Sequence, residues 1–145
     1  MDIKQVTIKE LEQVSKLFAD YRVFYEQPYD IEIAQSFIKD RLTEKDSVIF
    51  GVVDNGEYIG FTQIYPSFTS IGAKKIWILN DLFVSINNRQ RGVAKLLINH
   101  VLEYSKITNR KKVILSTAYD NKKAQSLYEK LGFVQATHYN YEKLT

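Results

Sequence analysis

Residues 88–94 read NRQRGVA, and they lie where a predicted strand gives way to a predicted helix. The strand is the apolar stretch IWILNDLFVSI (76–86), and the helix spans 90–107 with its apolar side chains at helical spacing. The N–H groups of a first helical turn have no partner within the helix, and the helix dipole favours negative charge there. Gly92 and Ala94 keep side-chain bulk away, and two arginines add positive charge. The stretch therefore predicts a site for a phosphate, although it also suits an ordinary helix start.

Outward from this stretch, strand and helix patterns alternate along the whole chain. Thr7 followed three residues later by Glu10 predicts a helix start, residues 54–57 (DNGE) predict a hairpin turn, and Gly132 predicts a helix end. The predicted elements are a strand near 2–8, a helix from 11 that ends before Pro28, a helix from about 30, strands at 47–53, 58–65 and 76–86, a helix at 90–107, a strand at 112–118, a helix at 121–131 and a strand from 133 onward. This order predicts one α/β (α+β) domain over residues 1–145 with a mixed, mostly antiparallel sheet and about four helices.

Two further motifs stand at set distances from the opening stretch. The strand before it contains Asn80-Asp81-Leu82-Phe83-Val84, and the region after it contains Asn121-x-x-Ala124-x-x-x-Tyr128-x-x-x-Gly132-Phe133. Together with Arg89-x-x-Gly92-x-Ala94, these motifs resemble, in their order, those of the GNAT family of N-acetyltransferases. The order of the predicted elements is similar as well, so the resemblance covers nearly the whole chain.

The resemblance implies acetyl-CoA as cosubstrate and a site without a metal. It implies that the strand Leu82-Phe83-Val84 holds the pantetheine arm through backbone groups of its first and last residues, as an added strand would be held. It implies that backbone N–H groups from Gln90 through Arg91, Gly92 and Val93 to Ala94 hold the pyrophosphate, with Arg89 beside them. Asn121 would contact the pantetheine arm.

Tyr128 is implied to be the acid that protonates the departing thiolate. A phenol with an ordinary pKa near 10 stays protonated at neutral pH and can donate to such a leaving group. Positions 121, 124 and 128 share one face of a helix, because seven residues make nearly two turns. A tyrosine between Leu127 and Leu131 is also typical of packing, so this alternative stands beside the catalytic one.

The sequence does not decide which of two neighbouring residues, Asn80 or Asp81, lies at the position of the general base. Asn80 stands where relatives similar to spermidine/spermine acetyltransferases carry glutamate, and an amide cannot take a proton. Asp81 can, directly or through water. Alternation in a strand predicts that Asn80 and Asp81 point to opposite faces, so only one of them would face the cleft. His100 and His138 are expected to be structural or exposed.

The acceptor is predicted to be a cationic amine held between the first two helices. Residues 20–32 contain four carboxylates and four aromatic rings, and we expect Tyr25, Glu26, Tyr29 and Asp30 to bind the amine by charge and cation–π attraction. Residues 1–85 carry a net charge of −4 and residues 86–145 a net charge of +7, which favours a cationic ligand on one part and an anionic one on the other. The alternative is that the rings are core residues and the carboxylates are solvated.

The amino-acid composition excludes several kinds of site and mechanism. The chain has 145 residues and no cysteine, which excludes disulfides, thiolate metal sites and an acyl-cysteine intermediate, and so favours direct attack in a ternary complex. We expect a cytoplasmic homodimer with no membrane partner and no nucleic-acid partner, since no run of five basic residues occurs. A protein or peptide lysine acetyltransferase and a non-catalytic acyl-CoA-binding regulatory domain remain alternatives to a small-amine acetyltransferase.

Overall fold

The computed structural model describes all 145 residues, which form five strands and four α-helices. Short 3-10 turns at Ile8–Glu10 and Ile86–Asn88 precede the first and third helices. The elements are β1 (Asp2–Gln5), α1 (Leu11–Phe24), α2 (Ile31–Glu44), β2 (Val48–Asp54), β3 (Glu57–Thr69), β4 (Lys74–Val84), α3 (Val93–Ile107), β5 (Val113–Leu115) and α4 (Lys122–Lys130).

The strands form one open sheet in chain order, β1-β2-β3-β4-β5. Neighbours are antiparallel except β4 and β5, which are parallel because α3 crosses over between them. The predicted mixed, mostly antiparallel sheet with about four helices is therefore confirmed. No helix reaches the length and apolar character needed to span a membrane.

Each face of the sheet carries its own apolar cluster. Helices α1 and α2 cover one face, where Ile49, Phe61 and Phe83 of the strands pack against them. Helices α3 and α4 cover the other face, against side chains such as Trp77 and Leu79. The alternation of side chains along the strands explains how one sheet supplies both cores.

The hairpin turn at Asn55-Gly56 and the helix start at Thr7 form as predicted. Asn55 and Gly56 have positive φ angles of 50° and 78°, and the residues on either side, Asp54 and Glu57, pair across the hairpin. The side chain of Thr7 caps the turn ahead of α1, and the carboxylate of Glu10 accepts the Thr7 backbone N–H at 2.9 Å.

The structure departs from the predicted elements most clearly at one missing strand, at β5 and at the start of α3. No strand forms after Phe133, although the residues there suit one, because no neighbouring strand lies beside them. β5 is three residues long where seven were predicted, because only those three pair with β4. α3 begins at Val93 and not at 90, because Gln90 and Gly92 adopt left-handed conformations that a helix cannot continue through.

The start of α3 is held close to the sheet by a glycine. A Cβ atom on Gly60 of β3 would lie 2.9 Å from Val93 Cγ1 and 3.0 Å from the Phe83 carbonyl oxygen. Any larger residue would push the helix outward. Glycine at this position therefore sets how closely the N-terminus of α3 approaches β4.

Candidate active site

The sheet opens between β4 and β5, and this gap is the first part of the candidate site. β5 pairs with β4 only from Trp77 to Leu79. The next residue, Asn80, has no partner on β3, because the register shifts at that point. Such a bulge bends its strand and interrupts the ladder. The last residues of β4 therefore have a neighbour on one side only and a free edge on the other.

Leu82 and Val84 turn their backbone groups toward this free edge. The Ser85 N–H donates to the Ile59 carbonyl of β3 at 2.9 Å, and backbone groups alternate from one edge of a strand to the other. The N–H and C=O groups of Leu82 and Val84 therefore point away from β3. This is the side on which the sequence predicted that an extended ligand would lie.

The loop before α3 presents a row of unused backbone donors. The first hydrogen bond inside the helix runs from the Leu96 N–H to the Gly92 carbonyl at 3.0 Å. No N–H group from residue 89 to residue 95 donates to a protein acceptor. A Cβ on Gly92 would meet nothing within 4 Å, so the space beside this residue of the loop is open. Free donors at the positive end of a helix suit a phosphate group.

Arg91 fixes this loop to the β2–β3 hairpin. Its guanidinium donates to Asp54 Oδ2 at 2.8 Å and to Asn88 Oδ1 at 2.6 Å. The hydrogen bond from Arg91 holds the pKa of Asp54 below its usual value. Arg91 therefore holds the loop in shape, with its positive charge paired to Asp54.

Arg89 links the same loop to α1. Its Nε donates to the Val84 carbonyl at 3.1 Å, so one of the backbone acceptors at the gap already has a partner. Its guanidinium carbon lies 5.3 Å from the Phe24 ring centroid and 5.7 Å from that of Phe83. The Phe83 side chain is buried under α1 and its backbone groups face β3, so the predicted contact of Phe83 itself with a ligand in the gap is not available.

Asp81 is the buried acid of the site, with 5% of its surface exposed. Gln63 Nε2 donates to its Oδ2 at 2.6 Å, and Asn80 Nδ2 donates to its Oδ1 at 3.1 Å. The second contact shows that the expected placement of Asn80 and Asp81 on opposite faces is wrong. The bulge inserts one extra residue into β4 and brings both side chains to the same side. Of the two, Asp81 is the group that can accept a proton, and Asn80 is its donor.

Four tyrosines, which we call the tyrosine row, lie between Asp81 and α4: Tyr21, Tyr65, Tyr25 and Tyr128. Burial, and then the charge of Asp81, raises the pKa of Tyr21 far above its usual value and that of Tyr65 to about 12. The Tyr25 ring lies 5.1 Å from that of Tyr21. Burial also raises the pKa of Tyr128, with a smaller contribution from the nearby Tyr25. The phenols of Tyr21, Tyr65 and Tyr128 therefore keep their protons at neutral pH.

The predicted features of α4 are present in the structure. Asn121 caps this helix, since its Oδ1 accepts the Ala124 N–H at 3.2 Å, and its amide nitrogen has no protein partner. Tyr128 is half-buried in the apolar cluster under α3, with its ring centroid 6.0 Å from that of Phe133. Gly132 ends the helix with φ of 93°. The ring of Tyr128 can thus pack in this cluster while its hydroxyl acts as the predicted proton donor.

The predicted acceptor segment lies on the surface between α1 and α2. The rings of Tyr25 and Tyr29 are more than half exposed, so these two are not core residues. Glu26 is exposed and has a positive φ of 65°. Asp30 caps α2, with its Oδ1 accepting the Ile33 N–H at 3.0 Å. The segment thus offers two aromatic faces and two carboxylates close to one end of the tyrosine row.

Other candidate groups lie away from this site. The ring of His100 packs on Phe50 at 4.6 Å, and burial lowers its pKa, whereas His138 is exposed in the C-terminal segment. No three His, Asp or Glu side chains are close enough to share a metal ion. A hollow of about 540 Å³ lies at the far end of α3 and is lined mostly by polar and basic side chains.

One partner of Asp81, Gln63, was missed by the sequence reasoning. Gln63 is fully buried and also accepts a hydrogen bond from Ser47 Oγ at 2.8 Å. A signal was present, because an amide in the apolar strand YIGFTQIY (58–65) needs a buried partner. The partner itself could not be named from the sequence, because it lies on another strand.

Comparison with known proteins places the chain in a family. The model of the acetyltransferase (GNAT) family matches residues 11–133. The uncharacterized N-acetyltransferase YhfO of Bacillus subtilis is 41% identical over 137 residues, which covers 94% of this chain and 92% of that protein. The spermidine N(1)-acetyltransferase of Vibrio cholerae is 40% identical over 59 residues, covering 40% of this chain and 34% of that protein.

The fold agrees with these matches. The crystal structure of a probable acetyltransferase superposes with a TM-score of 0.91 at 35% sequence identity, over 100% of this chain and 97% of that one. The matched regions include the strand that ends in the gap, the donor loop before α3 and the helix that carries Tyr128. The chain therefore belongs to the acetyltransferase (GNAT) family and is an acyltransferase.

Proposed function

We propose that this enzyme transfers the acetyl group of acetyl-CoA to a small cationic primary amine by direct attack in a ternary complex. The observation that carries the coenzyme proposal is the run of free backbone N–H groups from residue 89 to residue 95, beside the free backbone groups of Leu82 and the free N–H of Val84. The first feature suits the pyrophosphate, and the second suits the amides of the pantetheine arm. Asn121 faces the same arm in this proposal, with its amide nitrogen as donor.

In the proposed reaction, the ammonium group first loses a proton toward Asp81, directly or through water. The amine nitrogen then attacks the thioester carbonyl carbon, and the carbon–sulfur bond breaks as the tetrahedral intermediate collapses. The sulfur takes a proton from the Tyr128 hydroxyl, which regains one from solvent. The nitrogen carries two hydrogens after the attack and releases one of them to solvent as a proton, so the amide product keeps one N–H. Asp81 suits its role because it is buried, holds two amide donors and has no cation beside it.

The cationic acceptor is supported by the chemistry of the α1–α2 segment. Tyr25, Glu26, Tyr29 and Asp30 combine exposed aromatic faces with carboxylates, and both features attract ammonium groups. One relative is named for spermidine, itself a polycationic amine. A lysine side chain carries the same ammonium group, so a peptide acceptor is the second candidate. Cytoplasmic location and homodimer assembly remain predictions.

A thiol-release screen with acetyl-CoA separates these acceptors. We expect polyamines and aminoalkyl compounds to give higher kcat/KM than amino acids or lysine peptides. Activity should rise with pH because the attacking amine must be neutral. It should not fall through loss of the Tyr128 proton below about pH 10, since burial raises the pKa of this phenol. Highest activity with lysine peptides would favour the second candidate.

Neutralising Glu26 and Asp30 together is expected to weaken acceptor binding. The variant Glu26→Gln with Asp30→Asn keeps an N-cap on α2, because asparagine caps as well as aspartate. We expect KM for a polyamine to rise severalfold and to lose its dependence on ionic strength, because the attraction that salt screens is gone. Steady-state kinetics at two salt concentrations measure this.

The matched control removes two exposed carboxylates elsewhere, as Glu44→Gln with Glu57→Gln. It changes the net charge equally and should leave the acceptor KM unchanged. Equal effects of the two pairs would show that only overall charge matters, and the proposed acceptor surface would then be wrong. Affinity for acetyl-CoA should be the same in all three proteins.

Removing the amide of Gln63 is expected to disturb both stability and turnover. Gln63→Met keeps the side-chain length but deletes the donor 2.6 Å from Asp81. Hydrogen bonds to charged groups contribute about 1.5–3 kcal/mol, so the free energy of unfolding should fall by roughly that amount. Urea unfolding measures it, and kcat should fall while acetyl-CoA affinity is kept.

The control for Gln63 is Gln125→Met in α4. Its amide also donates to protein acceptors, at 3.0 Å, but they are neutral backbone carbonyls of exposed residues. This variant should lose well under 1 kcal/mol of stability and keep its kcat. If Gln63→Met were as mild as the control, Asp81 would not depend on Gln63.

A further inference from the structure

The β3–β4 hairpin carries exposed apolar side chains at its tip. Residues 70–73 (SIGA) form the turn, and Ile71 within it is fully exposed. Phe68, on the strand that leads into the turn, is 71% exposed, and Ile107, at the end of α3, is 80% exposed. These three side chains belong to neither apolar cluster of the sheet. The fold itself therefore leaves the apolar groups at this end of the sheet uncovered.

Positive charge without negative charge surrounds this tip. Residues 58–80 contain two lysines, and residues 104–119 contain three lysines and one arginine. Neither stretch contains an aspartate or a glutamate. Among these cations only Lys106 has an ion-pair partner, which is a glutamate of its own helix. Unpaired positive charge on one surface attracts an anionic partner.

Hydrogen bonds hold the two basic segments together. The Lys111 N–H donates to the Lys75 carbonyl at 3.2 Å. Arg110 Nη1 donates to the Ile76 carbonyl at 3.2 Å, and its guanidinium carbon lies 4.2 Å from the Trp77 ring centroid. The basic residues after α3 therefore lie beside the hairpin in a fixed arrangement. The chain has no run of five basic residues, so its sequence did not reveal this grouping.

We call Phe68, residues 70–75 and residues 110–112 the basic hairpin surface. It is convex, because it is built around the tip of a hairpin, and it combines apolar side chains with cations. In the pairing of β3 with β4, Phe68 lies directly opposite Lys75, so an apolar and a basic side chain share one face of the hairpin. A partner for this surface must supply negative charge and an apolar medium at the same place.

We propose that the basic hairpin surface binds the anionic face of a phospholipid bilayer, with Ile71 and Phe68 between the headgroups and the cations on the lipid phosphates. Anionic lipids attract nearby lysine and arginine side chains, and apolar side chains leave water at the acyl boundary. A fluid bilayer can also accommodate a convex tip. A nucleic-acid backbone supplies the phosphates alone, with no apolar medium for the tip. A surface contact needs no spanning helix, so the proposal replaces the expectation of no membrane partner without conflict with the fold.

The candidate active site stays accessible in this arrangement. β4 runs over 11 residues from Lys74 at the hairpin to Val84 at the gap. At about 3.3 Å for each residue, the two ends of the strand are roughly 33 Å apart. The bilayer and acetyl-CoA would therefore bind at opposite ends of one strand. The proposal does not depend on which amine is acetylated.

Sedimentation with vesicles tests the proposal on the full chain. We expect the protein to sediment with vesicles made of equal amounts of phosphatidylserine and phosphatidylcholine. It should stay in the supernatant with vesicles of phosphatidylcholine alone, because these carry no net charge. Binding should weaken as the ionic strength rises, because salt screens the attraction.

Removing two lysines of the surface should weaken vesicle binding. Each basic residue at an anionic membrane strengthens binding by roughly fivefold, so Lys75→Gln with Lys111→Gln should weaken it by about 20-fold. The control Lys4→Gln with Lys39→Gln removes the same charge from exposed positions of β1 and α2. β1 is the opposite edge strand of the sheet, and α2 covers the opposite face from α3. The control should bind vesicles within about twofold of the unmodified protein, and calorimetry should give all three proteins the same affinity for acetyl-CoA.

A label at the hairpin tip reports contact with the lipid. Because the protein has no cysteine, Ile71→Cys can carry one environment-sensitive fluorophore. Its emission should shift to shorter wavelength on anionic vesicles, because the label leaves water. The same label at Glu57→Cys, at the other end of β3, should show no shift.

Equal sedimentation with both kinds of vesicle, or with neither, would overturn the proposal. So would equal vesicle binding by the two lysine pairs, or a label at residue 71 that stays in water while the protein is bound. Binding of a DNA duplex by a protein that ignores anionic vesicles would make this surface a nucleic-acid contact instead. These measurements involve no turnover, so they stand apart from the test of acetyl transfer.

Discussion

Gly92→Glu is expected to abolish acetyl-CoA binding. The glutamate side chain would extend from Gly92, where a Cβ would meet nothing within 4 Å, in the middle of the loop whose N–H groups from residue 89 to residue 95 are free. Its carboxylate would compete for the donors and repel the pyrophosphate, which carries like charge. Isothermal titration calorimetry should show no binding at concentrations that saturate the unmodified enzyme.

Two controls separate charge from backbone strain. Gly92 has φ of 80°, so any other residue there is strained by about 1–3 kcal/mol. Gly56→Glu imposes the same strain at φ of 78° in the β2–β3 hairpin, and should keep affinity. Gly92→Gln adds the bulk without the charge and should bind with intermediate affinity. A folded Gly92→Glu protein with unchanged affinity would show that the phosphates bind elsewhere.

Tyr128→Phe is expected to reduce kcat by about 10²–10⁴-fold, the usual contribution of a general acid. The ring would still fill its place in the cluster under α3, so stability and acetyl-CoA affinity should change little. Only the proton for the leaving thiolate is lost. The effect should shrink with an acyl donor whose thiol has a lower pKa, because that leaving group needs less protonation.

The neighbouring tyrosines provide controls for this variant. Tyr104→Phe alters a phenol in the same cluster, on α3, and should leave kcat unchanged. Tyr25 lies close enough to Tyr128 to affect its pKa, so Tyr25→Phe tests whether a second phenol supplies the proton. A change in kcat of less than about twofold for Tyr128→Phe, with chemistry rate-limiting, would leave Tyr128 a packing residue only.

Local patterns predicted most of the fold because their causes are local. The capping of Thr7 by Glu10, the hairpin at Asn55-Gly56 and the helix end at Gly132 each depend on residues within a few positions of one another. The last strand was predicted wrongly for the opposite reason. The residues after Phe133 suit a strand, but a strand exists only where a neighbour accepts its hydrogen bonds.

In the candidate site as well, the local features were predicted and the contacts between distant segments were not. The donor loop at Gly92 and the helix with Tyr128 follow from consecutive residues and helical spacing. The placement of Asn80 and Asp81 on the same side of the sheet does not follow from the sequence, because strict alternation fails where a bulge inserts a residue. That bulge arises from the pairing of β4 with β3. Gln63, which holds Asp81 at 2.6 Å, is 18 positions away in sequence.

The sequence by itself determined the family, the order of the elements, the donor loop and the chemical groups available for catalysis. All of these depend on residue type and short spacing. The tertiary structure decided which groups meet: Asp81 with Gln63, Arg91 with Asp54, and Tyr21 of α1 with Phe83 of β4. Such contacts join distant segments, and their geometry follows from how strands register and helices pack, which no short pattern encodes.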